Sequence, residues 1–72
     1  MLKELVVTVN GDHMTVPEGS TIADVVTLLL EGTEPKGIAV AVDRCVVPRS
    51  EWPTTPALPD TPIEIVTAAA GG

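Results

Sequence analysis

The sequence contains no phenylalanine and no tyrosine, and Trp52 is its only aromatic side chain. A hydrophobic core must therefore be assembled from Val, Ile, Leu, Ala and Met, with Trp52 as its largest member. Cysteine is almost absent as well, because Cys45 stands alone. A single thiol excludes an internal disulfide and fits a reducing compartment. It also falls short of the four thiolates of an iron–sulfur ferredoxin or a zinc ribbon. One histidine, His13, and no acidic pair in an apolar setting leave little machinery for acid–base catalysis, and no metal site is expected. Basic residues are scarce, 4 Lys and Arg against 10 Asp and Glu, giving a net charge of −6. That balance excludes a nucleic-acid partner, which would need a basic stripe. It suits attraction to a basic protein surface, and it equally keeps a small apolar chain in solution. No apolar run is long enough to span a membrane. Met1-Leu2-Lys3-Glu4 leads into a short alternating run, not the long apolar stretch of a signal peptide, so a cytoplasmic location is expected.

What is present is a set of short, well-punctuated segments. At 72 residues the chain makes one small domain, residues 1–72, too small to enclose a deep catalytic cavity. Leu5-Val6-Val7-Thr8-Val9 is a β-branched run followed by Asn10-Gly11, a strong signal for a type I′ hairpin turn. His13-Met14-Thr15-Val16 is the return strand. A two-residue loop pairs Val9 with Asp12, Thr8 with His13, Val7 with Met14 and Leu5 with Val16. Leu5, Val7, Met14 and Val16 then share one face, because directly opposed residues point the same way.

Thr21 is a good helix N-cap, with Asp24 three residues on. Ile22, Val25, Val26 and Leu29 fall at helical spacing, and Gly32 is a stop, which predicts a helix of about ten residues. Ile38 to Val42 reads as a strand with Ile38, Val40 and Val42 on one face and Ala39 and Ala41 on the other. Asp43-Arg44 is a candidate turn into the short strand Cys45-Val46-Val47. From Arg49 to Pro62 the prolines Pro53, Pro56, Pro59 and Pro62 predict a loop without regular structure. Ile63 to Thr67 is the last strand.

The order is ββαβββ. One helix with one apolar stripe must cover one face of one sheet. The last strand buries Ile63 and Ile65 best from a central position parallel to the first. The expected fold class is therefore α+β: a five-stranded mixed sheet with one helix across one face, the ubiquitin-like β-grasp. The expected core is Leu5, Val7, Met14, Val16, Ile22, Val25, Val26, Leu29, Val40, Val42, Ile63 and Ile65. The open face should carry Val6, Ala39, Ala41 and Val66, apolar groups that suggest a partner-binding surface, although scattered exposed apolar residues are also normal.

After that strand come Ala68-Ala69-Ala70-Gly71-Gly72. Glycine has no Cβ, so Gly71 and Gly72 can thread a channel closed to larger residues. The Gly72 carboxylate is unhindered. Residues 68–72 bury too little apolar area to offset the entropy of ordering, which predicts a mobile tail. A small, frayed chain end is also ordinary in itself.

Five stretches carry a resemblance to a known family. They are Val9-Asn10-Gly11, Thr21 to Val26, Ala39 to Asp43, Val46-Val47-Pro48-Arg49-Ser50-Glu51-Trp52, and Ala70-Gly71-Gly72. Together they resemble the ThiS family of sulfur carriers in thiamine biosynthesis. The resemblance departs in the Pro53–Pro62 loop, which is longer and stiffer than the family pattern. It implies a protein co-substrate rather than an enzyme, with no bound cofactor. ATP and Mg²⁺ would be held by an adenylating enzyme resembling ThiF, and a persulfide would donate sulfur. Gly72 would become a thiocarboxylate, which a thiazole synthase resembling ThiG would consume, with Gly71 and Ala70 guiding the tail. Carriers of the molybdopterin or cysteine pathways, ubiquitin-like modifiers joined through Gly72, and unreactive interaction modules remain as alternatives. Cys45 and His13 read as packing or surface residues, Trp52 as a plug at the edge of the core, and Arg49 as a partner contact or a loop cap.

Overall fold

A computed structural model describes residues 3–30 and 37–67. Five strands, β1 (Glu4–Val9), β2 (Asp12–Pro17), β3 (Ile38–Val42), β4 (Cys45–Val47) and β5 (Ile63–Thr67), form one sheet in the order β2-β1-β5-β3-β4. One helix, α1 (Ile22–Leu30), supplies the other layer. The last strand occupies the middle, parallel to β1 and antiparallel to β3, as the burial of Ile63 and Ile65 required.

Both hairpins turn on two residues with positive φ. Asn10 and Gly11 have φ of 52° and 84°, and Asp43 and Arg44 have 51° and 68°. Such a turn matches the twist of the strands it joins and fixes the register of everything behind it. The β1–β2 register is the expected one, Val9 opposite Asp12, Val7 opposite Met14, Leu5 opposite Val16. A Cβ at Gly11 would meet nothing within 4 Å, so glycine is needed there for its backbone torsion and not for space.

Thr21 and Asp24 cap α1 reciprocally. The Asp24 N–H donates to Thr21 Oγ1 at 3.3 Å, and the Thr21 N–H donates to Asp24 Oδ2 at 2.9 Å. This is a capping box with aspartate in the glutamate position. Ile22, Val25 and Val26 are buried against Val7, Val9, Val16, Val40 and Ile63. Leu29 is not in that core: it lies on the same helical stripe but is 45% exposed. It stands beside the β1–β2 hairpin, at a depression of about 310 Å³ that it lines with Val9, Asn10, Asp12, His13 and Met14. Leu30 packs on the core instead.

The stretch expected to be structureless contains a 3₁₀ helix, Arg49–Thr54, with Pro53 inside it. Proline is tolerated because so short a helix needs few backbone bonds. The Glu51 N–H donates to Pro48 O at 2.8 Å and the Thr55 N–H to Trp52 O at 3.4 Å. Trp52 is buried, and its Nε1–H donates to Val47 O at 2.9 Å. Beyond it, Thr55 O accepts from the Ile22 N–H and Ser20 O accepts from the Ala57 N–H. The proline-rich stretch thus satisfies a first-turn donor of α1 that the helix cannot satisfy itself, and it buries Ala57.

Candidate functional site

The expected reactive end, Ala70, Gly71 and Gly72, lies outside the described residues, as does the mobility expected of residues 68–72. What the structure describes is the stem from which that end leaves. β5 pairs along its whole length with β3, Ile63 opposite Val42 through Thr67 opposite Ile38. On its other side it has one backbone rung, Val9 opposite Ile63. There the Asn10 N–H donates to Ile63 O at 2.9 Å. Past that point β1 turns away and the side chain of Asn10 takes over. The Ile65 N–H donates to Asn10 Oδ1 at 2.8 Å, and Asn10 Nδ2–H donates to Ile65 O at 3.1 Å.

Beside this stem lies an apolar patch on the face opposite α1. Ala39 stands opposite Val66, and Ala41 stands opposite both Glu64 and Val46. Ala39, Ala41, Val46, Glu64, Val66 and Asn10 border a shallow depression of about 240 Å³. Val66 is 63% and Val46 75% exposed. Val46 was not among the expected contact residues. The register of the Asp43-Arg44 turn, which sets Ala41 against Val46, was the signal that could have found it. Val6 is also exposed on this face but is not part of the patch. With Val9 level with Ile63, Val6 and Val66 lie six residues apart along the strand axis, about 20 Å at ~3.3 Å per residue. The patch is therefore Ala39, Ala41, Val46 and Val66, with Glu64 the one charged residue among the described residues that line it.

Among the described residues no three His, Cys, Asp or Glu side chains gather as a metal site would require. His13 and Cys45 are exposed. The Arg49 guanidinium sits 6.0 Å from the Trp52 ring centroid, at the outer limit of a cation–π contact. Among the described residues no helix is long and apolar enough to cross a membrane.

The ThiS family model matches residues 3–72. The chain belongs to the ThiS family. It is accordingly a small sulfur carrier of thiamine biosynthesis and not an enzyme. The fold is similar to that of a solved structure, the thiamine biosynthesis protein ThiS from Geobacter metallireducens, with a TM-score of 0.73. That likeness covers 94% of this chain and 100% of the other at 21% identity, and at such identity it speaks for the fold alone. No curated protein matches the sequence. ThiS membership and the β-grasp topology agree with the ββαβββ reading and with the central placement of β5.

Proposed function

We propose that the carbonyl carbon of Gly72 is the atom on which this ThiS-family carrier holds sulfur. The observation that carries the reading is the extent of the family match, which runs through Gly71-Gly72. A carboxylate is a poor electrophile. An activating enzyme resembling ThiF, holding ATP and Mg²⁺, joins the Gly72 carboxylate to AMP and releases pyrophosphate. The terminal sulfur of a persulfide then attacks the carbonyl carbon and AMP leaves. A second thiol cleaves the resulting acyl disulfide, freeing the Gly72 thiocarboxylate and leaving donor and thiol joined as a disulfide. A thiazole synthase resembling ThiG takes the sulfur onward. Gly71 and Ala70 matter here for what they lack, since a threaded tail must be thin. The patch of Ala39, Ala41, Val46 and Val66 beside the stem is the surface on which these partners dock.

The test is the intact mass of the chain after incubation with the activating enzyme, ATP, Mg²⁺, a persulfide donor and a reducing thiol. The expected gain is that of one sulfur replacing one oxygen. Deleting Gly72 should leave stability within about 0.5 kcal/mol, as for surface changes away from special features. The same deletion should abolish ATP–pyrophosphate exchange, because the new terminal carbon stops about 3.5 Å short of the α-phosphate. Exchange at the wild-type rate without Gly72 would refute the reading. Conjugates on lysine in place of a thiocarboxylate would mark a ubiquitin-like modifier. Partner binding indifferent to the tail would mark an interaction module.

A further inference from the structure

Among the described turn residues, the Asn10 side chain alone bonds to a residue far along the chain. Residues at a type I′ turn ordinarily supply a torsion and point into solvent. Asn10 supplies the torsion, with φ of 52°, and also reaches a residue 55 positions away along the chain. Its amide has an accepting oxygen and a donating NH2, and each makes one bond to Ile65, the oxygen to its N–H and the NH2 to its C=O. In a parallel ladder those two groups would be paired with backbone from the next strand. β1 has already left, so the amide acts as a surrogate peptide and extends the β1–β5 ladder beyond its single backbone rung. Asn10 also borders the apolar patch, so the same residue touches the docking surface and the stem of the tail.

We propose that Asn10 is a positioning residue: its amide fixes Ile65 to Thr67 relative to the patch and so sets where the tail departs. Without it, β5 would keep its pairing with β3 but lose its second edge over this stretch. The effect on chemistry rests on the reading of Gly72 given above; the effect on the strand does not. A carrier that docks by the patch and reacts some residues further on depends on that geometry. Displacement of a reacting group by an ångström or so can cost up to about a hundredfold in rate.

The test uses the full chain and two variants. Asn10→Gly keeps the positive φ without strain and removes the amide. Asn10→Asp keeps the acceptor for the Ile65 N–H, and regains a donor only when protonated, at about pH 4 and below. By NMR, Asn10→Gly should remain folded, exchange its Ile65 amide at least about tenfold faster, and lose backbone order at Val66 and Thr67. Asn10→Asp should keep most of the Ile65 amide protection at neutral pH, because its carboxylate still accepts from that N–H, and should leave Ile65 O without its donor until the carboxyl is protonated. In ATP–pyrophosphate exchange, kcat for Asn10→Gly should fall about tenfold, with KM for the carrier within about twofold, because docking by the patch persists. Unchanged order at residues 65–67 in Asn10→Gly would overturn the proposal, and so would lost order with wild-type kcat. A wild-type chain that the activating enzyme leaves unmodified refutes the chemistry at Gly72 and not the tether, which the NMR comparison decides by itself.

Discussion

Trp52 is the largest side chain in the core. It is the chain's only aromatic residue, it is 5% exposed, and its indole N–H is satisfied by Val47 O. Trp52→Ala should cost about 3–5 kcal/mol through lost burial and a cavity. That is a large part of the roughly 4–10 kcal/mol available to a domain of this size. Trp52→Phe should keep most of the burial and lose chiefly the bond to Val47 O, about 1 kcal/mol for a half-buried carbonyl. Urea unfolding of both variants checks the pair, and similar losses in the two would show that the hydrogen bond and not the ring volume dominates. At this scale the sequence was legible wherever a residue's own chemistry decides its place. A lone tryptophan in an aliphatic chain plugs a core, and Val7 and Met14 share a face because the turn between them leaves no choice. It was less legible where geometry beyond the residue decides. Leu29 has the right helical phase, yet it borders an open depression beside the β1–β2 hairpin and stays 45% exposed. Asn10 announces a turn, and nothing in its neighbourhood announces Ile65.

Among the elements, α1 depends most on its surroundings. Nine residues, with Val25, Val26 and Thr27 among them, make a poor isolated helix. Tertiary packing and its first turn hold it. Thr21 and Asp24 cap it, and Thr55 O accepts the Ile22 N–H at 2.8 Å. Thr21→Ala should destabilise the domain by about 0.5–2 kcal/mol and Thr21→Ser by much less, since serine caps equally well. A thermal melt of the two side by side decides it, and equal losses would count against the cap. The cap was legible in Thr21 and Asp24 alone. The partner at Thr55 was not, because prolines exclude long regular structure without excluding a six-residue 3₁₀ helix that folds back onto α1. The hairpins were legible to the register, since a two-residue turn with positive φ transmits its geometry along both strands.

At the scale of the whole molecule, the open face of the sheet divides into two regions. The half near the tail stem carries Ala39, Ala41, Val46 and Val66; the other half carries Val6 among Thr8, His13 and Thr15. Ala41→Asp and Val66→Asp should leave the fold intact and weaken binding to the activating enzyme, through buried charge and lost apolar contact. Val6→Asp, about 20 Å away along the strands, should weaken it far less. Calorimetric titration of the three variants separates a compact footprint from a broad one, and equal losses at all three sites would reject the division. The order β2-β1-β5-β3-β4 has a further consequence, in the time the chain takes to be made. β5 is the last strand to be synthesised and the first the sheet needs, since until it arrives β1 and β3 have nothing between them. The hairpins close from local contacts, whereas the middle waits for residues at the far end of the sequence. A nascent chain stopped before Ile63 should therefore stay unfolded, lacking the cooperative signal of the full domain in circular dichroism. Every folded copy would then already possess the stem that bears its tail, so chains released short of β5 would be left to the cell's proteases before they could occupy a partner.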